Sequence, residues 1–306
     1  MMSTLRIATR RSPLARWQAD FVADSLRQLH PQLQIEICPM ETKGDQWLRS
    51  SLSQLGGKGL FVKELEQALL DNQADIAVHS MKDVPAHFPD GLGLVAILER
   101  HDPRDALLGV SNLDELAHGA VVGTASQRRQ LQVVAQRPDL KIKLLRGNIQ
   151  TRMGKLEAGE YDAILLAASG LKRMGYDNRI DRILEPEDML PAIGQGALGV
   201  ECRLDDSRVR ELIAPLADPA TTLRVEAERA VGHCMGSSCQ TPVAAYAVIE
   251  DDTLWLRALM GDPNSGEMLR DEGRAPLNQV VALGTQLGEN LLAKGGDAIL
   301  QRLQNA

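Results

Sequence analysis

The stretch that decides the fold runs from residue 74 to residue 85 and reads ADIAVHSMKDVP. Its apolar run, Ile76 to Val78, is short and predicts a buried strand. Polar residues follow, and Asp83 lies in a short turn closed by Pro85. Ligands of open α/β sheets bind beyond the carboxyl ends of strands, so Asp83 is a candidate for holding an N–H group or stabilising a cation. Asp and Pro are also common in ordinary turns, and that interpretation stays open here.

The composition indicates a globular protein of 306 residues, long enough for two or three domains. Hydrophobic residues make up 44% and charged residues 25% of the chain, which is ordinary for this class. No apolar run approaches the roughly 20 residues that a membrane helix needs. The first residues lack the apolar core of a signal peptide. We therefore expect a cytoplasmic protein with no membrane partner.

The charge pattern favours a small anionic ligand. A net charge of -7 argues against a general nucleic-acid binder. Arginine nonetheless outnumbers lysine by 25 to 9, and its planar fork suits carboxylates. The four cysteines have no metal-type spacing, so we expect thiols and no metal. Cys234 and Cys239 lie five residues apart and could also form a pair.

The N-terminal part alternates strand and helix patterns. Residues 5–9 predict a strand, and Ser12-Pro13 predicts the start of a helix. Arg10 in the turn between them favours an anion at the helix N-terminus. The polar, glycine-rich stretch that ends at Lys58-Gly59 predicts a functional or disordered loop, without the spacing of a Walker motif. Residues 61–72 then predict a helix, and residues 92–98 a further strand. The charged, proline-containing run of residues 99–105 predicts a connector, the first crossing into a second domain.

The middle of the chain repeats this logic. A strand at residues 120–123 leads to Thr124 and to Ser126, a predicted N-cap. Arg128 and Arg129 follow in the first helical turn, where cations oppose the helix dipole. Such a placement needs compensation, and a bound anion would supply it. Two later strands, 141–145 and 161–167, are also followed by arginines, namely Arg146, Arg152 and Arg173.

The chain then returns to the first sheet. Gly194-Gln195-Gly196 predicts the return crossing, and residues 197–202 predict a strand that rejoins that sheet. Two crossings between two α/β lobes make a hinge and a cleft, as in two-lobed small-molecule binding proteins. We predict domain 1 from residues 1–98 and 197–216, domain 2 from residues 104–190, and domain 3 from residues 217–306.

The predicted third domain is small and α+β. A helical pattern at residues 207–231 leads into it. Strands are expected at residues 243–249, 254–260 and 267–273, and a helix at 277–293. Before them, Cys239 lies in a loop of small residues, which would leave its thiol accessible to react. From the residues alone, a structural role for this cysteine stays open.

Taken together, these motifs resemble the porphobilinogen deaminase family over nearly the whole chain. The markers are IATR with SPLA at residues 7–15, GGKGLF at 56–61, DIAVHSMKDVP at 75–85, Arg128-Arg129, LRGN at 145–148, GQG at 194–196 and Cys239-Gln240 before Pro242. Departures from the common pattern are Gln54, Ser238 and Thr241. The resemblance implies an α/β fold with two lobes like those of periplasmic binding proteins, plus a small α+β C-terminal domain.

The resemblance also implies chemistry and roles. The family joins porphobilinogen units head to tail with loss of ammonia, giving the linear tetrapyrrole hydroxymethylbilane. Cys239 would carry a dipyrromethane cofactor through a thioether, and Asp83 would be the catalytic carboxylate. Phe61 would belong to the loop, and the protein would be a monomer. The residues expected to contact cofactor and substrate are Arg10, Lys58, Ser80, Lys82, Thr124, Ser126, Arg128, Arg129, Arg146, Arg152, Arg173 and Gln195.

Two other functions are compatible with parts of the pattern. A non-catalytic two-lobed binding protein for small anions would explain the arginines, but not the accessible Cys239 loop or the missing export signal. A cysteine-nucleophile hydrolase would need an oriented base. His79 precedes the Asp83 turn, but nothing in the sequence connects it with Cys239.

Overall fold

The computed structural model describes residues 4–42, 62–236 and 241–305. Contacts divide the chain into two compact units, Met1–Arg100 with Ala197–Thr222, and His101–Gly196 with Leu223–Ala306. The division into three domains stays a prediction. No helix in the described ranges combines the length and the apolar composition needed to cross a membrane.

The first unit is built on a five-stranded mixed sheet. Its strands, in spatial order, are β2 (Gln34–Met40), β1 (Thr4–Arg10), β3 (Ile76–Ser80), β10 (Leu198–Arg203) and β4 (Leu92–Ile97). β1 runs parallel to β2 and β3, whereas β10 is antiparallel to β3 and β4. The predicted return of the chain to the first sheet is therefore confirmed, and β10 lies beside the strand that leads to Asp83.

Helices cover both faces of this sheet. Helix α1 (Pro13–Leu29) begins as predicted, because Ser12 accepts the Ala15 N–H at 3.4 Å and Pro13 occupies the first turn. Its buried Val22 and Leu26 pack with the apolar residues of β1 and β3. Helix α2 (Lys63–Leu70) packs against the other face, with Ala8 and Ala77. The end of β3 is thus fixed from both sides.

The second unit contains a sheet with the same plan. Its order is β7 (Lys141–Leu144), β6 (Val121–Thr124), β8 (Ala163–Ala167), β5 (Asp105–Leu108) and β9 (Arg182–Leu184). β6 is parallel to β7 and β8, and β5 is antiparallel to β8 and β9. The prediction of a second copy of the first pattern is confirmed. β5 was not predicted, since Asp105 ends a charged run that indicated only a connector.

The helices of this sheet begin near strand ends. They are α3 (Gln127–Gln136), α4 (Ile149–Glu157) and α5 (Ala168–Arg173). The predicted helical stretch of residues 207–231 forms two helices, α6 (Ser207–Ile213) and α7 (Pro219–Cys234). Pro215 and Pro219 explain the break, because proline cannot continue a helix from the preceding turn.

The C-terminal part forms an antiparallel sheet of β11 (Val243–Glu250), β12 (Thr253–Gly261) and β13 (Met268–Pro276). Helix α8 (Val280–Leu291) packs Leu283, Leu287 and Leu291 into its core. The sequence predicted that helical structure ends before Gly295, but it continues beyond that residue. Gly295 has φ +115°, which kinks the chain, and α9 (Asp297–Gln304) follows. The mixed α/β class with a small α+β C-terminal part is confirmed.

Candidate functional site

The Asp83 turn is a rigidly anchored 3-10 turn, Met81–Asp83, directly after β3. The Met81 N–H donates to the Ala197 carbonyl at 3.1 Å, and the Val84 N–H donates to the Met81 carbonyl at 3.2 Å. The Met81 side chain is buried, whereas Lys82 and Asp83 are half-buried. The turn therefore fixes its backbone inside the first unit and leaves a cation and a carboxylate partly open to solvent.

Other predicted residues of this unit lie at the same edge of the sheet. β1 and β3 are parallel neighbours, so Arg10 at the end of β1 and Ser80 at the end of β3 end on one side. Gln18 of α1 donates from Nε2 to Ser80 Oγ at 2.8 Å. The first unit therefore places Arg10, Ser80, Lys82 and Asp83 at one edge of its sheet, and their roles in a site stay a prediction.

The adjacent arginines of α3 surround a carboxylate of the chain itself. Arg128 Nη1 donates to Asp105 Oδ2 at 2.7 Å, and Arg129 donates to Asp105 Oδ1 from Nη2 at 2.7 Å and from Nε at 3.1 Å. All three residues are buried. The compensating anion that the sequence led us to expect is thus present as Asp105. We expected a bound anion to supply this charge, and Asp105, 23 positions before Arg128, supplies a negative charge from the chain itself.

Asp105 organises more than the two arginines. Gln195 Nε2 donates to Asp105 Oδ1 at 2.9 Å and to the Pro103 carbonyl at 2.6 Å. Arg128 also donates to the Leu190 carbonyl and Arg129 to the Leu165 carbonyl. Burial disfavours the charge of Asp105, but the two guanidinium groups outweigh it and hold the pKa of Asp105 well below its usual range. One signal for this role is visible in the sequence, namely a carboxylate at the start of a short apolar run.

The remaining arginines of the second unit follow the strand ends. Arg146 comes after β7, and Arg152 on α4 donates from Nε to the Gly147 carbonyl at 2.7 Å. Arg173 ends α5 and donates to the Gly196 carbonyl at 2.8 Å, and burial lowers the pKa of Arg173 to about 10. All three are half-buried. The guanidinium groups of Arg152 and Arg173 are thus held by backbone carbonyls, while all three residues stay partly exposed.

Two hydroxyl residues complete this edge. Thr124 ends β6, and its Oγ1 accepts the Ser126 N–H at 3.1 Å. Ser126 is the N-cap of α3, as predicted, and its Oγ accepts the Arg129 N–H at 3.4 Å. β6 and β7 are parallel, so Thr124 and the residues after β7 lie at one side of the sheet. The edge is rich in donors suited to carboxylates.

Three predicted site residues lie outside the described residues, namely Lys58, Phe61 and Cys239. The same holds for Gln54 and Ser238. Cys239 belongs to the connection between α7, which ends at Cys234, and β11, which begins at Val243. Cys38, Cys202 and Cys234 are free thiols. The part of the chain that the structure describes contains no group of three His, Cys, Asp or Glu residues arranged to hold a metal ion.

Similar solved structures include periplasmic binding proteins. The methionine binding protein MetQ is 12% identical with a TM-score of 0.45, over 70% of this chain and 89% of that one. The aliphatic sulphonate binding protein SsuA from Escherichia coli is 14% identical with a TM-score of 0.43, over 76% and 70%. At these scores the likeness is too distant to identify a ligand or a function.

The family comparison is decisive, because two domain models match most of the chain. The model "Porphobilinogen deaminase, dipyromethane cofactor binding domain" matches residues 5–211. The model "Porphobilinogen deaminase, C-terminal domain" matches residues 222–293. The first match includes the Asp83 turn and the arginines at the strand ends. The chain therefore belongs to the porphobilinogen deaminase family, whose enzymes bind a dipyrromethane cofactor and polymerise porphobilinogen into hydroxymethylbilane in tetrapyrrole biosynthesis.

Proposed function

We propose that this protein is a hydroxymethylbilane synthase in which Asp83 is the catalytic carboxylate and Cys239 carries the cofactor through a thioether. One observation carries the proposal, namely that the family match includes a half-buried carboxylate on a turn fixed by buried Met81. A catalytic group has to be held in place before the reaction begins, and this turn meets that requirement.

The residues of the second unit fit the acidic cofactor. Each pyrrole ring carries carboxylate side chains, and the donors at the sheet edge are guanidinium and hydroxyl groups. Arg128 Nε is buried and has no acceptor among the residues that the structure describes. When bound, the cofactor supplies the free pyrrole carbon from which the chain grows. We propose that its carboxylates are held by Thr124, Ser126, Arg128, Arg129, Arg146, Arg152 and Arg173.

Asp83 would act on the arriving porphobilinogen. Loss of ammonia from its aminomethyl group leaves a positive charge on the pyrrole, which a nearby carboxylate stabilises. The same carboxylate can accept the pyrrole N–H and assist proton transfer at the ring carbon. Lys82 and Arg10 lie at the same sheet edge as Asp83 and would hold the acetate and propionate of the substrate.

Gln195 would act through its position rather than through a charge. Its side chain donates to Pro103 and Asp105, which ties the crossing segment to the arginine pair. The next residue, Gly196, has φ +92°, and a Cβ there would overlap the His101 carbonyl oxygen.

We also propose that the protein acts as a monomer in the cytoplasm, as the family resemblance implies. Size-exclusion chromatography would test the oligomeric state, and cell fractionation would test the location.

Intact mass of the purified protein, measured together with ammonia release, tests the proposal. The wild type should exceed its chain mass by one dipyrromethane, and Cys239→Ser should lack both the excess mass and the activity. Cys234→Ser is a matched control, because Cys234 precedes Cys239 by five residues in the sequence and its thiol donates to the Ala230 and Thr285 carbonyls. That variant should keep the added mass. An unmodified wild type that is still active would refute the assignment.

A further inference from the structure

A buried cluster of ionisable side chains lies behind the Asp83 turn in the first unit. His79 on β3 and Glu201 on β10 share a hydrogen bond of 2.8 Å between Nε2 and Oε2. Their exposed fractions are 5% and 0%. Glu66 on α2 is 7% exposed, and the charges of both residues act on it. The reaction proposed above uses none of the three.

The cluster contains two carboxyl groups, those of Glu66 and Glu201, and only one imidazole, that of His79. Within the described residues, neither Oε1 of Glu66 nor Oε1 of Glu201 has a hydrogen-bond partner. Two ionised carboxylates beside a single histidine would bury an uncompensated negative charge whichever form the imidazole takes, which is costly. Burial and then repulsion from Glu201 raise the pKa of Glu66 to about 7, although His79 and Lys63 oppose the shift. A proton on Glu66 removes the excess charge and gives its carboxyl group a donor.

The strand pair joined by this cluster is the one that anchors the catalytic turn. β3 and β10 are antiparallel, with Gly199 opposite His79 and Leu198 opposite Ser80. Two residues after His79, the Met81 side chain occupies the space above Gly199, because a Cβ there would overlap Met81 Sδ. The Met81 N–H also bonds to the Ala197 carbonyl. A change in how His79 and Glu201 meet would therefore be transmitted to the turn.

We propose that Glu201 is a positioning residue that holds the Asp83 turn through His79, and that Glu66 joins the cluster as a neutral acid. The inference rests on the proposed role of Asp83. The hydrogen bond between two buried residues keeps β3 and β10 in register at the point where the turn begins. When Glu66 is neutral, no second buried negative charge competes with Glu201 for the His79 imidazole.

Kinetics of the full-length, cofactor-bearing protein test the positioning role. Glu201→Gln should lower kcat for ammonia release about 10-fold or more, since small misplacements of a catalytic group are costly, and leave KM within about twofold. His79→Gln interrupts the same hydrogen-bonded pair and should lower kcat by a similar factor. It serves as the test if Glu201→Gln fails to fold. The matched control is Glu211→Gln on the exposed side of α6, which should behave as wild type. Normal kcat in a folded His79→Gln or Glu201→Gln would overturn the role.

Thermal unfolding tests the charge of Glu66 without any activity. A raised folded-state pKa gives stability that is complete below the unfolded-state value of about 4.3 and is lost as pH rises through about 7. Glu66→Gln cannot lose this proton, so its Tm should rise relative to wild type between about pH 5 and pH 8. If Tm changed with pH in the same way in wild type and Glu66→Gln, the proposal that Glu66 is a neutral acid would be overturned. A wild type that releases no ammonia would instead refute the proposed function, while this measurement would still report the charge of Glu66.

Discussion

Asp105→Asn most directly tests whether Asp105 stabilises the protein as the counter-ion of Arg128 and Arg129. The change keeps the shape of the side chain and removes one negative charge. Arg128 and Arg129, whose side chains are 4% and 7% exposed, would then face each other without a counter-ion. Breaking a buried ion pair by removing one partner costs about 3–5 kcal/mol. We expect the free energy of unfolding at pH 7 to fall by about that amount.

The pH dependence adds a second expectation. The arginines lower the pKa of Asp105 in the folded protein, so its ionic stabilisation is present above the unfolded-state value of about 3.9. That stabilisation is lost as pH falls through the folded-state value, where the wild-type side chain becomes as neutral as asparagine. The stability difference between wild type and Asp105→Asn should therefore be largest at neutral pH and shrink in acid below about pH 4.

Urea unfolding followed by circular dichroism, between pH 3 and pH 8, measures both quantities. Asp188→Asn is the control, since its ion pair with Arg182 is exposed and should contribute about 1 kcal/mol or less. Removing the charge of Arg129 in the Asp105→Asn background should recover part of the loss, because it relieves the repulsion that the first change created. A loss below about 1 kcal/mol for Asp105→Asn, or a difference that does not shrink in acid, would refute the reasoning.

The other predictions concern Asp83 and Gly199 in the first unit and Arg146 in the second. Asp83→Asn should lower kcat by about 10²–10⁴-fold while the added mass of the cofactor remains, and near-normal turnover would exclude Asp83 as the catalytic acid. Gly199→Ala should lower the free energy of unfolding by about 1–3 kcal/mol and reduce kcat, because the added methyl group would overlap Met81 and lie 2.7 Å from Leu94 Cδ2. Unchanged unfolding and turnover would show that Met81 can move freely. Arg146→Gln should raise KM or impair cofactor loading without changing the unfolding midpoint, and unchanged kinetics and mass would make Arg146 a plain surface charge.

Local signals in the sequence were sufficient for much of the fold. Ser12-Pro13 and Ser126 predict helix starts because N-capping depends only on the next three residues. The run before Ser80 predicts β3 because a short apolar stretch ended by polar residues is typical of a buried strand. The position of Asp83 beyond that strand follows from the same pattern. The repeated strand-and-helix rhythm also predicts the second sheet, which has the same strand order as the first.

Pairings between distant residues could not be predicted in this way. His79 and Glu201 are 122 positions apart, and they meet only because β10 enters the first sheet beside β3. Asp105 looked like the last charge of a connector, yet burial in β5 makes it the counter-ion of Arg128 and Arg129. No periodicity marks either pairing, because hydrophobic period reports which face is buried and not which partner lies opposite.

The sequence by itself therefore determined the class of fold, the helix starts, the strand that ends at Ser80 and the residues of the deaminase motifs. Only the tertiary structure decided which buried polar side chains meet, namely Arg128 and Arg129 with Asp105, and His79 with Glu201. The reason is physical. Capping and strand formation depend on neighbours along the chain, whereas the cost of burying a charge depends on what the folded chain places beside it.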